Sequence, residues 1–229
     1  MGGFSYDRDV YSSNSSSNWD DSSASSYSAS KFTSSYLDSS LQPKGKFLES
    51  KSKYPIIVLL DVTGSNIDFA RVVYDKLPMF FGQIEQKGYL DDFEICFCAV
   101  GDADGDHYPL QVCNFAKGIE LDSWIEKLVL EGGGGGQHKE SYELAAYYLL
   151  KCTKFRKDSH PIIFFIGDER PYPTVKPFQS QEVLGIECYE NVEPFKLLRE
   201  KVNDNVFMLL NKYSGHSTFE AEFTNCWRK

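Results

Sequence analysis

Two apolar runs, residues 55–60 and 161–166, each lead into an aspartate, and two hydroxyl residues follow the first aspartate. The side chains concerned are Asp61, Thr63, Ser65 and Asp168. Two carboxylates that converge repel each other unless a proton or a cation lies between them. Only hard oxygen ligands are present in this set, so we expect Mg²⁺, with Mn²⁺ or Ca²⁺ as alternatives and Zn²⁺ disfavoured.

The elements around these residues predict a fold that would bring them together. From Tyr54 onward, short apolar runs alternate with longer amphipathic stretches, which is typical of βαβ units and a mainly parallel sheet. We predict strands at 56–60, 93–100, 111–115, 161–166 and 206–210, and helices at 66–86, 121–130, 141–152, 193–201 and 219–227. The fold class is therefore α/β: a doubly wound, Rossmann-like sheet with helices on both faces and one antiparallel edge strand.

The strand order decides whether the two aspartates meet. With the usual order 3-2-1-4-5, the strands that end in Asp61 and Asp168 are neighbours at the point where the order reverses. Ligands of such sheets bind at this point, outside the carboxyl ends of the strands. We therefore expect the metal site there.

Residues 1–52 have a different composition from the rest of the chain. They are rich in Ser, carry isolated aromatic residues and show no helical or alternating apolar period. Such a segment buries too little apolar surface to offset the backbone entropy of ordering, about 1–2 kcal/mol per residue. We expect a disordered tail over residues 1–52 and one domain over residues 53–229.

Charge and cysteine usage narrow the class of protein. The net charge of −9 and the pI near 5.0 disfavour a nucleic-acid partner. The six cysteines lack the spacings of metal sites, so we expect reduced thiols. There is no secretory signal pattern, and no apolar run reaches the roughly 18 residues of a membrane span, so we expect a cytoplasmic protein without a membrane partner.

The strand-ending residues resemble the motifs of a known family. Asp61-Val-Thr63-Gly-Ser65 resembles the Asp-x-Ser/Thr-x-Ser first motif of von Willebrand factor A domains, and the sequence ending in Asp168 resembles the strand-ending aspartate of their third motif. By element order the resemblance covers residues 54–228. It implies a metal-ion-dependent adhesion site, in which Mg²⁺ held by few anionic ligands is completed by an acidic side chain of a partner protein. Asp61, Thr63 and Ser65 would be ligands, and Asp168 would bind directly or through water.

The middle motif departs from the family pattern. The family supplies a Thr from a loop that precedes a helix, and residues 131–145 contain no Thr. Ser141 or Glu140 could substitute for it. A ligating Glu would add negative charge and weaken the attraction of the ion for a partner's carboxylate.

Three functions remain open at this stage. The resemblance implies an intracellular protein-binding module rather than an enzyme. The alternative with catalysis is a Mg²⁺-dependent phosphohydrolase that uses Asp61 as nucleophile, as haloacid dehalogenase-type hydrolases do, although Thr63 stands where their motif has a general acid/base Asp. The third function is a structural or assembly subunit with a vestigial metal site.

Other signals have simpler readings. Asp102, Asp104 and Asp106 alternate like the first ligands of an EF-hand calcium loop. That loop requires Gly at position 6 and Glu at position 12, whereas here Gly105 is at position 4 and Cys113 is at position 12. We therefore expect an acidic turn.

Three further patterns concern the neighbourhood of the two strand ends. Asp61 and Asp168 could each be a helix N-cap instead of a ligand. Arg170 and Tyr172 could form a rim that anchors a partner. The glycine run 132–136 lacks the Lys-Ser/Thr of a phosphate-binding loop, so we expect a mobile loop.

Overall fold

The computed structural model describes residues 36–132, 139–190, 192–211 and 220–227. The strands in chain order are β1 (Leu48–Ser50), β2 (Tyr54–Asp61), β3 (Phe93–Val100), β4 (Leu110–Val112), β5 (Lys139–Glu140), β6 (Thr153–Phe155), β7 (Ile162–Gly167), β8 (Arg170–Pro171) and β9 (Val206–Leu210). The helices are α1 (Ile67–Lys87), α2 (Ile119–Ile125), α3 (Tyr142–Cys152), α4 (Pro177–Gln179), α5 (Pro194–Lys201) and α6 (Glu220–Trp227). A 3₁₀ turn spans Ser39–Leu41, and a π turn spans Ser180–Leu184.

Five strands form the central sheet, in the order β4-β3-β2-β7-β9. Numbered along the chain, this is the predicted order 3-2-1-4-5. All neighbours are parallel except β3 and β4, which are antiparallel. Leu60 of β2 pairs with Ile166 of β7, so both strands reach the carboxyl edge of the sheet at the same level. The predicted α/β class, including one antiparallel edge strand, is confirmed.

Helices cover both faces of this sheet. Val58 and Phe164 lie on the face beside α1, whose Tyr74 hydroxyl donates to the carbonyl of Ile125 in α2 at 2.9 Å. On the other face Phe165 packs against Tyr142 of α3 and Phe195 of α5. Nearly every residue of β2 and β3 is buried, which is why these strands read as continuous apolar runs.

Local chemistry sets the ends of the helices. α1 runs through Pro78 as predicted and ends at Gly88, whose φ of 62° allows a left-handed C-terminal cap. α2 ends earlier than predicted, at Ile125 instead of residue 130. The side-chain amide of Gln111 forms two hydrogen bonds with the backbone of Val129. It accepts from the N–H at 2.8 Å and donates to the carbonyl at 2.7 Å. This pairing holds the segment after α2 in an extended form.

Residues 36–52, which precede the predicted domain boundary at residue 52, belong to the folded unit. β1 pairs in parallel with β6, and Leu41 and Leu48 are only 0% and 2% exposed. The ammonium of Lys46 donates to the carbonyls of Ser40 and Val112, both at 2.6 Å. Few apolar side chains anchor this stretch, and they are too irregularly spaced to produce a periodic pattern in the sequence. Of the disordered tail predicted over residues 1–52, residues 1–35 lie outside the described residues, as does most of the glycine run.

The cysteines agree with the expectation of reduced thiols. All six cysteines are free thiols, and Cys96, Cys98, Cys113 and Cys152 are buried. In the described part of the chain, no helix combines the length and apolarity that crossing a membrane requires.

Candidate metal centre

The two strand-ending aspartates and their hydroxyl partners come together at the carboxyl edge of β2 and β7. Thr63 donates to Asp61 Oδ1 twice, from its backbone N–H at 2.9 Å and from its hydroxyl at 2.6 Å. Ser65 donates from its hydroxyl to Asp168 Oδ1 at 3.2 Å. The amide of Asn66 donates to the carbonyl of Asp61 at 2.9 Å and closes the loop between β2 and α1. The first-loop motif and the second aspartate are therefore side by side, as predicted.

Glu140 lies with this group, whereas Ser141 points elsewhere. β5 pairs with β8 immediately after Asp168, which brings Glu140 to the cluster. Burial, followed by the charges of Asp61, Asp102 and Asp106, raises the pKa of Glu140 to about 10, against a hydrogen bond with Thr63 that lowers it. The Ser141 hydroxyl accepts from the N–H of Ala103 at 2.9 Å and lies 3.5 Å from Asp102 Oδ1. Of the two candidates for the middle motif, Glu140 is the one beside Asp61.

Tyr142 belongs to the site, although the sequence pattern indicated only a helix at this position. Its hydroxyl donates to Asp61 Oδ2. A Cβ on Gly167 would lie 2.0 Å from that hydroxyl and 2.8 Å from Asp61 Oδ2, so only glycine leaves room for the hydrogen bond. The glycine directly before Asp168 was the available sequence signal for a close approach at this point.

The C-terminal helix α6 touches the same group of side chains. The indole of Trp227 packs against the rings of Tyr142 at 5.2 Å, Phe165 at 5.9 Å and Phe195 at 5.3 Å between centroids. Its Nε1–H donates to the carbonyl of Glu169 at 3.2 Å. Aromatic packing thus supports Tyr142 and the loop that carries Asp168.

The carboxyl groups of this edge lie in a negative, weakly hydrated environment. Burial raises the pKa of Asp61, while hydrogen bonds from Thr63 and Tyr142 lower it. Burial, with the charges of Asp61 and Glu169, raises the pKa of Asp168 to about 7. Oδ2 of Asp168 and Oε2 of Glu140 are buried without a hydrogen-bond partner among the described residues. A cation would satisfy both the open oxygens and the excess charge.

The donor set fits a hard cation, with one adjustment to the expected roles. Both oxygens of Asp61 already accept hydrogen bonds from Thr63 and Tyr142, so Asp61 orients the Thr63 hydroxyl. The open oxygens belong to Asp168 and Glu140. Within the described residues no three His, Cys, Asp or Glu side chains have the geometry of a metal site. A cation here therefore needs the hydroxyl oxygens of Thr63 and Ser65 as well as carboxylates.

The site is enclosed by its own side chains and reaches the surface at Ser65. Asp61, Thr63, Asp168 and Glu140 are at most 5% exposed, whereas Ser65 is exposed. Two cavities of the described structure lie elsewhere. An apolar groove of about 440 Å³ runs between α1 and the strands β2, β7 and β9, and a polar cavity of about 360 Å³ lies beside Lys201.

Helix capping does not explain the two aspartates. The N-cap residue of α1 is Asn66, which makes no capping hydrogen bond with its side chain. After Asp168 the chain enters β8 and not a helix. The alternative in which Asp61 and Asp168 are helix N-caps is wrong.

The acidic turn and the predicted rim form a second polar cluster next to this site. Asp104 accepts from Lys176 at 2.7 Å and from Gln179 at 2.8 Å. Tyr172 is buried, and its hydroxyl donates to Asp102 Oδ1 at 3.2 Å, so it is not an exposed anchor for a partner. Arg170 is half-buried in β8.

Comparisons with known proteins give a limited result. No family model matches the chain, and no curated protein matches it. Two similar solved structures are of the pilus adhesin SpaC from Lactobacillus rhamnosus GG, each 13% identical to this chain. The open conformation matches 58% of this chain and 18% of the adhesin with a TM-score of 0.41, and a second form matches 69% and 22% with a TM-score of 0.43. This chain thus spans about a fifth of the adhesin's length, and a likeness this distant carries no functional argument.

Proposed function

We propose that this chain is a non-enzymatic protein-binding module of the von Willebrand factor A type. It holds a divalent cation, Mg²⁺ in preference to Mn²⁺ or Ca²⁺, at the carboxyl edge of its sheet and uses it to engage an acidic group of a partner protein inside the cell. The observation that carries the proposal is that two hydrogen-bonded pairs meet where the strand order reverses, between β2 and β7. The pairs are Asp61 with Thr63 and Asp168 with Ser65. Beside them, carboxylate oxygens of Asp168 and Glu140 have no hydrogen-bond partner among the described residues.

Each residue has a distinct task in this proposal. Asp61 orients the Thr63 hydroxyl, and Tyr142 fixes Asp61 from the opposite side. Asp168 and Glu140 present carboxylate oxygens, and Ser65 stands at the solvent boundary, where a partner would approach. A bound Mg²⁺ would supply the positive charge that attracts a partner's carboxylate.

The geometry disfavours the phosphohydrolase. A nucleophilic Asp needs a free oxygen in reach of the substrate, but Asp61 is 0% exposed and both of its oxygens accept hydrogen bonds. The scaffold with a vestigial site has one observation in its favour, the enclosure of the cluster. The proposed module and the scaffold differ in whether the protein binds a cation.

The test is thermal unfolding of the full chain with and without millimolar Mg²⁺, Mn²⁺ or Ca²⁺. Wild type should be stabilised, since a ligand at a hundred times its Kd adds about 2.7 kcal/mol to the free energy of unfolding. Asp168→Asn should lose this effect. Asp158→Asn is the matched control, because Asp158 is 73% exposed and pairs with Arg156 away from the site.

Two experimental outcomes would favour one of the other two functions. No metal-dependent rise in the wild type would reject the cation site and favour the scaffold. Release of phosphate from p-nitrophenyl phosphate that requires Asp61 would favour the hydrolase instead. The proposed module should release none and should bind acidic peptides only when the cation is present.

A further inference from the structure

We infer that Glu140 supplies from within the chain the carboxylate that a partner would otherwise bring to the cation, so that the site is self-ligated. This inference rests on the proposed function, because it presumes that a cation binds beside Asp61 and Asp168. Its consequence is that an external acid can bind only in competition with Glu140. Glu140 is then the residue that sets the choice between holding the cation and binding a partner.

The backbone fixes Glu140 at this place. Lys139 and Glu140 pair with Arg170 and Pro171 in the parallel β5–β8 ladder, directly after the loop that carries Asp168. The next residue, Ser141, donates its N–H to the carbonyl of Gly101 at 3.1 Å. Glu140 is therefore held on both sides by main-chain contacts, unlike a surface glutamate that reaches the site by chance.

The surroundings of its carboxyl group call for a positive charge. Glu140 is 5% exposed, and Oε2 has no hydrogen-bond partner within the described structure. The charged groups acting on it are the carboxylates of Asp61, Asp102 and Asp106. A buried carboxylate is costly unless it is protonated, paired or bound to a cation. A purely structural glutamate would be expected to have a hydrogen-bond donor at this oxygen.

Charge balance explains why Glu140 would compete with a partner. Asp61 and Asp168 together neutralise a divalent cation. A third carboxylate makes the loaded site negative, so it holds the cation more strongly and repels another acid. A neutral hydroxyl at the middle motif would have the opposite effect on both.

The experiment compares Mn²⁺ binding by wild type, Glu140→Gln and a control, Glu120→Gln, which changes an exposed glutamate of α2. The relaxation rate of water protons reports both Mn²⁺ affinity and the water molecules still bound to the ion. Wild type and Glu120→Gln should bind Mn²⁺ about tenfold or more tightly than Glu140→Gln. Millimolar acetate should lower the relaxation rate more with Glu140→Gln than with the wild type, in which Glu140 competes for the ion.

A second readout does not depend on the relaxation signal. Without metal, Glu140→Gln should unfold at about the same temperature as wild type, because a protonated glutamate and a glutamine are both neutral at this buried position. With saturating Mn²⁺, Glu140→Gln should unfold at a lower temperature than wild type. Glu140→Thr, which places a neutral hydroxyl there, should show the same gain of acetate binding.

The outcomes separate this inference from the proposed function. Equal Mn²⁺ affinity and equal acetate response in wild type, Glu140→Gln and Glu140→Thr would overturn the inference and leave the cation site standing. Absence of Mn²⁺ binding in all variants would reject the proposed function and the inference together.

Discussion

The hydroxyl of Tyr142 donates a hydrogen bond to Oδ2 of Asp61 across the space that Gly167 leaves open. This contact joins the first residue of α3 to the last residue of β2. Because Thr63 holds the other oxygen of Asp61, the carboxylate is fixed from both sides. The candidate site is thus arranged by residues that need not touch a cation.

Removing the Tyr142 hydroxyl should destabilise the protein. Tyr142→Phe leaves a buried carboxylate oxygen without its donor, which should lower the free energy of unfolding by about 1–3 kcal/mol. Tyr148→Phe is the control, because that hydroxyl donates to a neutral acceptor, the carbonyl of Lys46, at 3.0 Å. Urea unfolding measures both. An equal or larger loss in Tyr148→Phe would contradict the prediction.

A methyl group at position 167 should break the same contact. In Gly167→Ala the Cβ would meet the Tyr142 hydroxyl at 2.0 Å, so the ring must shift, at a cost of about 1–3 kcal/mol. The cost should be smaller when Tyr142→Phe has already removed the hydroxyl. A double-mutant cycle of urea unfolding measures this coupling, and additive losses would show that the two residues act independently.

Substitution of Thr63 should lower both stability and cation affinity, whereas substitution of Ser65 should lower only cation affinity. Thr63 is buried and hydrogen-bonded to Asp61, so Thr63→Val should cost about 1–3 kcal/mol even without metal. Ser65 is exposed, so Ser65→Ala should change the metal-free stability by less than about 0.5 kcal/mol. Both should weaken Mg²⁺ binding in calorimetric titration. Unchanged Mg²⁺ affinity in Ser65→Ala would remove that residue from the site.

The segment before β2 should contribute to stability. Leu41→Ala and Leu48→Ala each empty a fully buried position and should cost about 2–5 kcal/mol. Phe47 is 75% exposed, so Phe47→Ala should cost less than about 0.5 kcal/mol. Thermal and urea unfolding give the three values. Small losses for both leucines would place the domain boundary back near residue 52.

Because of Lys201, the free energy of unfolding should rise as the pH becomes alkaline. Its ammonium donates to the carbonyls of Leu149 at 2.9 Å, Leu150 at 2.8 Å and Thr153 at 2.6 Å, at the end of α3. Burial lowers its pKa to about 8, so the folded protein releases this proton more readily than the unfolded chain, where the pKa is about 10.4. Between these values the unfolded state binds more protons, and the free energy of unfolding should rise with pH.

The measurement is urea unfolding of wild type and Lys201→Met at several values between about pH 7.5 and pH 10. The stability of wild type relative to the variant should increase over this range. Lys154→Met, which changes a lysine that is 77% exposed, should show no such trend against wild type. A constant or falling difference for Lys201→Met would contradict the assigned pKa.

The long buried strands and the meeting of their ends could be predicted from the sequence. Residues 55–60 and 161–166 read as strands because strands covered on both faces are continuously apolar. Their shared position at the order reversal then placed Asp61 beside Asp168. β1, β5, β6 and β8 were missed, because two or three residues are too few for a period to show.

The spacing of residues in the sequence could not show which side chain of the middle motif faces Asp61. Glu140 and Ser141 are neighbours in the sequence, and successive side chains of an extended segment point to opposite sides. Only the pairing of β5 with β8 decides that Glu140 faces Asp61. Tyr142 was missed for a related reason, since its reach to Asp61 depends on the missing Cβ of a glycine on another strand.

The contact between Trp227 and the carbonyl of Glu169 gives the candidate site a natural optical probe. An indole hydrogen-bonded one residue away from Asp168 changes its fluorescence emission when that loop changes its hydration. The other indoles are Trp19 and Trp124, and Trp124 lies instead beneath the ammonium groups of Lys46 and Lys127. A chain that keeps Trp227 as its sole tryptophan would therefore report on the Asp168 loop without an attached dye.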